Sequence, residues 1–188
     1  WDKRQLVKKI LLNSLYGAIL NPGCRFFDKR IGQSTTLTGR TIVKHMSAEV
    51  NNVITGTYDH VGKSMIYGDT DSCYFSAWPI LKDDVNSGKL EWSKEKCITL
   101  MDQVCEQANT TFPDFMMKAF HCPKSRSDVI AAGREIIAQS GLFITKKRYA
   151  ALVIDNEGFR TDIDGKAGKV KAMGLDLRRS DTPVFMQE

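Results

Sequence analysis

The sequence predicts an α+β fold, a small antiparallel sheet packed on helices. Two long stretches carry apolar residues at helical spacing, and several short runs rich in strand formers stand apart from them. Turn residues at Asn21-Pro22-Gly23, Thr55-Gly56 and Asn156-Glu157-Gly158 punctuate the chain between these pieces. No internal repeat or low-complexity linker interrupts them.

Lys8 to Gly17 reads as a helix that ends at or near Gly17. At about 100° per residue, Lys9, Asn13 and Tyr16 lie within about 60° of one another on one face. Val7, Ile10, Leu11 and Leu15 cover the opposite side, which should pack on something apolar. A second helix is expected from about Thr35 to Ile54, with Ile42, Met46, Val50 and Val53 at helical spacing and Thr55-Gly56 closing it. A hairpin over Ser64–Ser76 follows, then a polar loop from Pro79 to Gly88. Ser93 is a suitable N-cap for a helix with Ile98, Met101, Val104, Cys105 and Ala108 on one face. Pro113 to Arg126 reads as broken helix and loop. Short strands come next: Glu135-Ile136-Ile137-Ala138, then a hairpin of Leu142–Ile154 continued by Phe159-Arg160-Thr161. Gly165 to Gly168 reads as mobile, Val170 to Gly174 as a strand, and the residues after Pro183 as the first turns of a helix.

The chemistry concentrates at Tyr67-Gly68-Asp69-Thr70-Asp71-Ser72, between two strand-forming runs. Residues i and i+2 of an extended segment point to the same side, so the hairpin tip should present Asp69 and Asp71 together. Gly68 beside them allows a backbone or phosphate to come close. Clustered carboxylates suit Mg²⁺ or Mn²⁺, and Mg²⁺ is commonly held by one or two carboxylates plus substrate phosphates. The same six residues also make an ordinary turn. Upstream, the Lys9–Tyr16 face offers a cation for a triphosphate, an amide, and a ring with a polar tip for a base pair. An amphipathic helix with a solvated lysine would look the same in isolation.

Together, Lys9-x-x-x-Asn13-Ser14-x-Tyr16-Gly17 and Tyr67-Gly68-Asp69-Thr70-Asp71-Ser72 resemble motifs B and C of family-B DNA polymerases. Three further stretches fit in the same order. Arg25-Phe26-Phe27-Asp28-Lys29-Arg30, with Thr36 and Gly39-Arg40, is similar to the passage from fingers to palm. Lys146-Lys147-Arg148-Tyr149 is similar to the basic motif that holds the primer terminus. Met173-Gly174 through Ser180-Asp181-Thr182-Pro183 is similar to the palm-to-thumb passage. The resemblance spans nearly the whole chain and is strongest to the T-even type of tailed-bacteriophage replicative polymerases. It implies a C-terminal fingers helix at 1–20, a palm at 21–178 and the start of a thumb at 179–188.

The resemblance further implies template-directed DNA polymerisation with two Mg²⁺ ions, for which Mn²⁺ can substitute. Asp71 would bridge the metals, with Asp69 supporting the site and Glu135 beside them on the palm sheet. Lys9 would neutralise triphosphate charge, and Asn13, Tyr16 and Gly17 would border the nascent base pair. Lys146, Lys147, Arg148 and Tyr149 would position the primer terminus, with alternation sending Lys146 and Arg148 to one face of a strand. The expected partners are primer–template DNA, deoxynucleoside triphosphates and the remainder of the polymerase: motif A with its metal-binding aspartate, the exonuclease and the thumb. The chain therefore reads as a partial sequence or one piece of a split polymerase, inactive when isolated. Two other readings are a non-catalytic DNA-binding portion and a metal-dependent Asp-x-Asp glycosyltransferase. In the latter, neither the Lys9–Gly17 motif nor the basic block has a role.

Composition agrees with these expectations. The net charge of +5 is unevenly spread, +7 over residues 1–45, −4 over 46–144 and +2 over 145–188. Basic flanks suit phosphate and an acidic centre suits a metal. Five cysteines without a Cys-x-x-Cys pair disfavour zinc and suggest free thiols. No stretch has the length of a membrane span and no signal-peptide pattern occurs, so a cytoplasmic location is expected.

Overall fold

The computed structural model describes residues 2–175. The Ser180–Pro183 stretch, the helix expected after it and the thumb portion at 179–188 lie outside the described residues. The fold is α+β. In order it comprises α1 (Asp2–Leu20), α2 (Lys29–Thr55), β1 (Met65–Asp69), β2 (Ser72–Phe75), α3 (Trp78–Asn86), α4 (Lys94–Asn109), α5 (Phe112–Phe120), β3 (Ile136–Thr145), β4 (Arg148–Asn156), β5 (Phe159–Arg160) and β6 (Lys169–Met173). Two compact units divide between Val43 and Lys44, inside α2, whereas the sequence reading divides the chain by role after residue 20.

In the first unit, α1 continues past Gly17 to Leu20. Gly17 lacks the left-handed backbone of a helix terminator, and it is Asn21, restricted by Pro22, that ends the helix. The second helix begins earlier than expected because Asp28 caps it, its Oδ1 accepting from Arg30 N at 2.8 Å and Ile31 N at 3.4 Å. The Arg30 guanidinium and amide hold the Asp28 carboxyl below its ordinary pKa. The Tyr16 hydroxyl reaches Gly32 O at 3.5 Å. Leu20 packs so closely on Gly32 of α2 that a Cβ there would lie 2.0 Å from its side chain, which would have to shift to admit one. The side of α1 expected to pack is instead exposed: Val7, Ile10, Leu11 and Leu15 keep 54% or more of their surface.

In the second unit, Val50 of α2 and Val104 and Ala108 of α4 form a buried core joined by Val53, Ile54, Met65 and Phe75. The β1–β2 hairpin is thus seated on two helices. Ser93 caps α4 as expected, accepting from Lys96 N at 3.2 Å. The expected polar loop after Pro79 is helix α3. Proline in a first turn gives up no intrahelical hydrogen bond, and Ala77 O accepts from Ile80 N and Leu81 N. α5 ends on His121 in the left-handed region, and a single 3₁₀ turn follows at Lys124–Arg126.

Three polar side chains missed by the sequence reading organise this unit. Asn51 is 1% exposed and uses both ends of its amide, donating to Thr57 O at 2.7 Å and accepting from Ser64 N at 3.2 Å and Ser64 Oγ at 2.7 Å. It ties α2 to the start of β1. Arg134 bridges Asp102 of α4 and Asp155 of β4 through its guanidinium. His45 is stacked on Phe115 at 3.9 Å between centroids and hydrogen-bonded at both ring nitrogens, Nδ1 to Tyr58 Oη at 2.9 Å and Nε2 to Thr111 Oγ at 3.1 Å. Thr111 already donates its only hydroxyl proton to Ala108 O, so His45 carries its proton on Nε2 and accepts from Tyr58.

Burial lowers the pKa of His45 below its ordinary value, with Glu49 opposing. At pH values below about 6.5 the unfolded chain binds a proton there that the folded chain resists. Stability should therefore be flat above that pH and fall below it, by up to ~1.4 kcal/mol per pH unit for this one proton. Urea unfolding at a series of pH values checks this, and His45→Gln should remove that component of the pH dependence.

Two sheets form rather than one. The first is the β1–β2 pair, and in the second β4 is central. β3 runs along one side of β4, and β5 and β6 share the other. The residues read as separate strands before and after Gln139 are a single strand, β3, whose register shifts absorb the irregular stretch. The Gly165–Gly168 segment leads into β6 and passes close to β4 at Val153. Gly168 has φ 130°, and a Cβ there would lie 2.5 Å from Val153 O.

Candidate active site

β1 and β2 pair with Asp69 opposite Ser72, leaving Thr70 and Asp71 as a two-residue turn. The extended-strand argument for placing both aspartates on one side therefore stops at Asp69, and it is the turn that brings Asp71 to the same tip. Asp69 is half-buried and its Oδ1 accepts from Thr70 N at 2.9 Å and Thr70 Oγ1 at 3.1 Å. The Thr70 backbone bond is the chief cause that lowers its pKa, and the charges of Lys147 and Lys146 act in the same direction. Asp71 is exposed, and among the described residues no protein donor engages it. Gly68 is exposed too. A Cβ there would only touch Ser72 O at 3.7 Å, so nothing crowds the approach to the tip.

The basic block is also a turn. Thr145 pairs with Arg148, and Lys146 and Lys147 form the connection from β3 to β4, Lys147 with a left-handed φ of 61°. The alternation expected of an edge strand does not apply, because Arg148 and Tyr149 begin the central strand. Lys146, Lys147 and Arg148 are exposed, and Tyr149 is buried. The Arg148 guanidinium donates to Gly174 O at 3.2 Å.

Four rings join the two turns. Tyr67 and Tyr74 of the first sheet pack with Phe143 and Tyr149 of the second, with centroids 5.2–5.9 Å apart. The hydroxyls of Tyr74 and Tyr149 are 2.9 Å apart. Burial first, and then the Tyr149 bond, push the Tyr74 phenol pKa well up. Lys147 N donates to the Tyr67 hydroxyl at 2.8 Å. The basic turn and the acidic tip, 75 residues apart in sequence, are thus neighbours in space. Of these aromatics, Tyr67, Tyr74 and Phe143 were missed as site residues, whereas Tyr149 was expected at the primer terminus.

Glu135 is exposed immediately before β3, its carbonyl accepting from Glu157 N at 2.6 Å, and its charge contributes to the raised pKa of Tyr74. Lys9, Asn13, Tyr16 and Gly17 all lie on α1 in the other unit, where Lys9, Asn13 and Gly17 are exposed and Tyr16 is half-buried. Among the described residues no group of three or more His, Cys, Asp or Glu is assembled to hold a metal. The donor set at the hairpin tip is a pair of carboxylates, which fits a hard cation that completes its shell with water and phosphate oxygens.

Residues 1–82 match the sequence model of DNA polymerase family B, a span that contains both the Lys9–Gly17 and Tyr67–Ser72 motifs. The chain is 29% identical over 194 residues to the DNA-directed DNA polymerase of Escherichia phage RB69, an alignment covering 98% of the chain and 21% of that relative. It is 28% identical over 206 residues to that of Enterobacteria phage T4, covering 100% of the chain and 21% of the relative. The DNA polymerase alpha catalytic subunit of Arabidopsis thaliana is 28% identical over 188 residues, covering 100% of the chain and 10% of the relative. These matches bear out the resemblance to family-B DNA polymerases. The chain spans about a fifth or less of the length of these relatives. Their alignments extend over the Lys146–Tyr149 turn, which the 1–82 match does not reach. Among the described residues no helix is long and apolar enough to cross a membrane.

Proposed function

We propose that this chain carries part of the active site for template-directed DNA synthesis, in which a primer 3′-hydroxyl attacks the α-phosphate of a deoxynucleoside triphosphate and pyrophosphate leaves. The observation that carries the reading is the juxtaposition of the Asp69–Asp71 tip with the Lys146–Lys147 turn. Such a pairing places negative charge for a cation next to positive charge for a nucleic-acid backbone. Asp69 and Asp71 would hold Mg²⁺ or Mn²⁺, which when bound stabilises charge on the attacking and leaving oxygens. Asp71 presents a free carboxylate, while Asp69 is held in its ionised form by Thr70 and the lysines. Lys146, Lys147 and Arg148 would grip primer phosphates, with Tyr149 anchoring the strand beneath them. Glu135 would add negative charge on the sheet side of the site. Lys9 would neutralise the triphosphate, and Asn13, Tyr16 and Gly17 would border the new base pair.

Primer extension by the full polypeptide that the gene encodes tests this reading. Lys9→Ala should lower the incorporation rate by ~10²-fold and leave primer–template affinity within ~3-fold of the parent. Lys146→Ala and Lys147→Gly should instead weaken DNA binding on every sequence and reduce its salt slope by about one for each phosphate no longer neutralised. Glycine is chosen at 147 because it accepts the left-handed backbone of that position. Identical behaviour of the two sets would overturn this division of roles.

A further inference from the structure

Tyr67 lies at the junction of the two turns, and its ring and its hydroxyl do different things. The ring packs against Tyr74 at 5.9 Å, Phe143 at 5.7 Å and Tyr149 at 5.8 Å, packing that a phenylalanine would also provide. The hydroxyl accepts from the backbone N–H of Lys147 at 2.8 Å and faces Asp69 Oδ2 at 3.5 Å. Lys147 adopts a left-handed φ of 61°, which a lysine takes only where its surroundings impose it. Its amide is thereby directed across to the first sheet. A hydroxyl can accept one proton and donate another. One side chain therefore links the basic turn to the carboxylate at the acidic tip.

We propose that Tyr67 is a positioning residue, whose hydroxyl fixes the Lys146–Lys147 turn against the Asp69–Asp71 tip so that whatever the lysines hold is registered to the carboxylates. The proposal rests on the polymerase reading and adds a residue to which that reading assigns no role. Registration matters because in-line transfer tolerates little misplacement of the attacking oxygen, and an error of about 1 Å can cost ~10²-fold in rate. The lysine charges alone would attract a primer without setting where its end lies.

The variant that isolates the hydroxyl is Tyr67→Phe, made in the full gene product. At saturating primer–template and nucleotide, the rate constant of the first incorporation should fall by ~10-fold, with primer–template Kd within ~3-fold and the melting temperature within ~2 °C of the parent. Amide exchange at Lys147 should accelerate by ~10-fold, because its acceptor is gone. A merely structural role would lower the melting temperature and the burst amplitude and leave the burst rate constant unchanged, which would overturn the proposal. So would unaltered exchange at Lys147. Normal incorporation by Tyr67→Phe in an enzyme whose parent is active overturns the positioning role alone. A parent without template-directed incorporation overturns the polymerase reading and this role together.

Discussion

Asp71→Ala in the full gene product should reduce primer extension by ~10³-fold or more, the largest effect expected of any single substitution in the chain. Primer–template affinity should change little, because the phosphate-gripping charges lie on the neighbouring turn. The substitution is clean for structural reasons. Asp71 is exposed in a two-residue turn and no hydrogen bond within the described residues depends on it, so its loss removes a charge without unsettling the hairpin. Asp69 is a poorer probe. Its carboxylate also holds Thr70, and replacing it disturbs the turn and the charge together. Single-turnover incorporation and a DNA-binding titration on the same preparations separate the two quantities. Near-normal polymerisation by Asp71→Ala would remove the acidic tip from the mechanism.

What could be read from the sequence was the chemistry carried by contiguous residues. The Tyr67–Ser72 hairpin, the Ser93 cap of α4 and the apolar stripe that buries Val104 and Ala108 are all local patterns, and the structure has them where they were expected. Misreadings arose where a local signal has two outcomes. Pro79 can break a helix or begin one, and here it sits in the first turn of α3. Lys146-Lys147 can lie along a strand or turn a corner. The choice of a turn is matched by a bond from Lys147 to Tyr67, 80 residues away. Periodicity on α1 gives two faces without saying which one packs, and it is Tyr16 rather than Leu11 or Leu15 that is partly covered. Asn51, His45 and Arg134 gave no local signal at all. Each is a polar residue whose partners come from other elements, so its burial could be known only after the chain had folded. The candidate site shows the same division. Its charges were legible, and the aromatic cluster that brings them together was not.

Arg134→Ala should destabilise the fold by ~3–5 kcal/mol, the usual consequence of leaving a buried charge without its partner. The residue next to Glu135 thus has a large expected effect on stability, and none on chemistry is required of it. Asp155 is 2% exposed in the central strand, and its Oδ1 also accepts from Gly158 N at 3.0 Å. Burial acts to lower the Arg134 pKa, but the bonds to Asp102 and Asp155 outweigh it and hold the guanidinium above its ordinary value. Removing the arginine leaves the Asp155 carboxylate in the interior with one amide for company, and it releases β4 from α4 at Asp102. Against a total stability of about 5–15 kcal/mol, that loss is enough to unfold a substantial fraction of the chain at physiological temperature. Asp155→Asn added to Arg134→Met should recover part of it, because the amide oxygen still accepts from Gly158 while the orphaned charge is gone. Urea unfolding of the three proteins provides the comparison. A cost near ~1 kcal/mol for Arg134→Ala, the value of an exposed pair, would mean that water reaches Asp155 and that the α4–β4 seam is held by its apolar contacts instead.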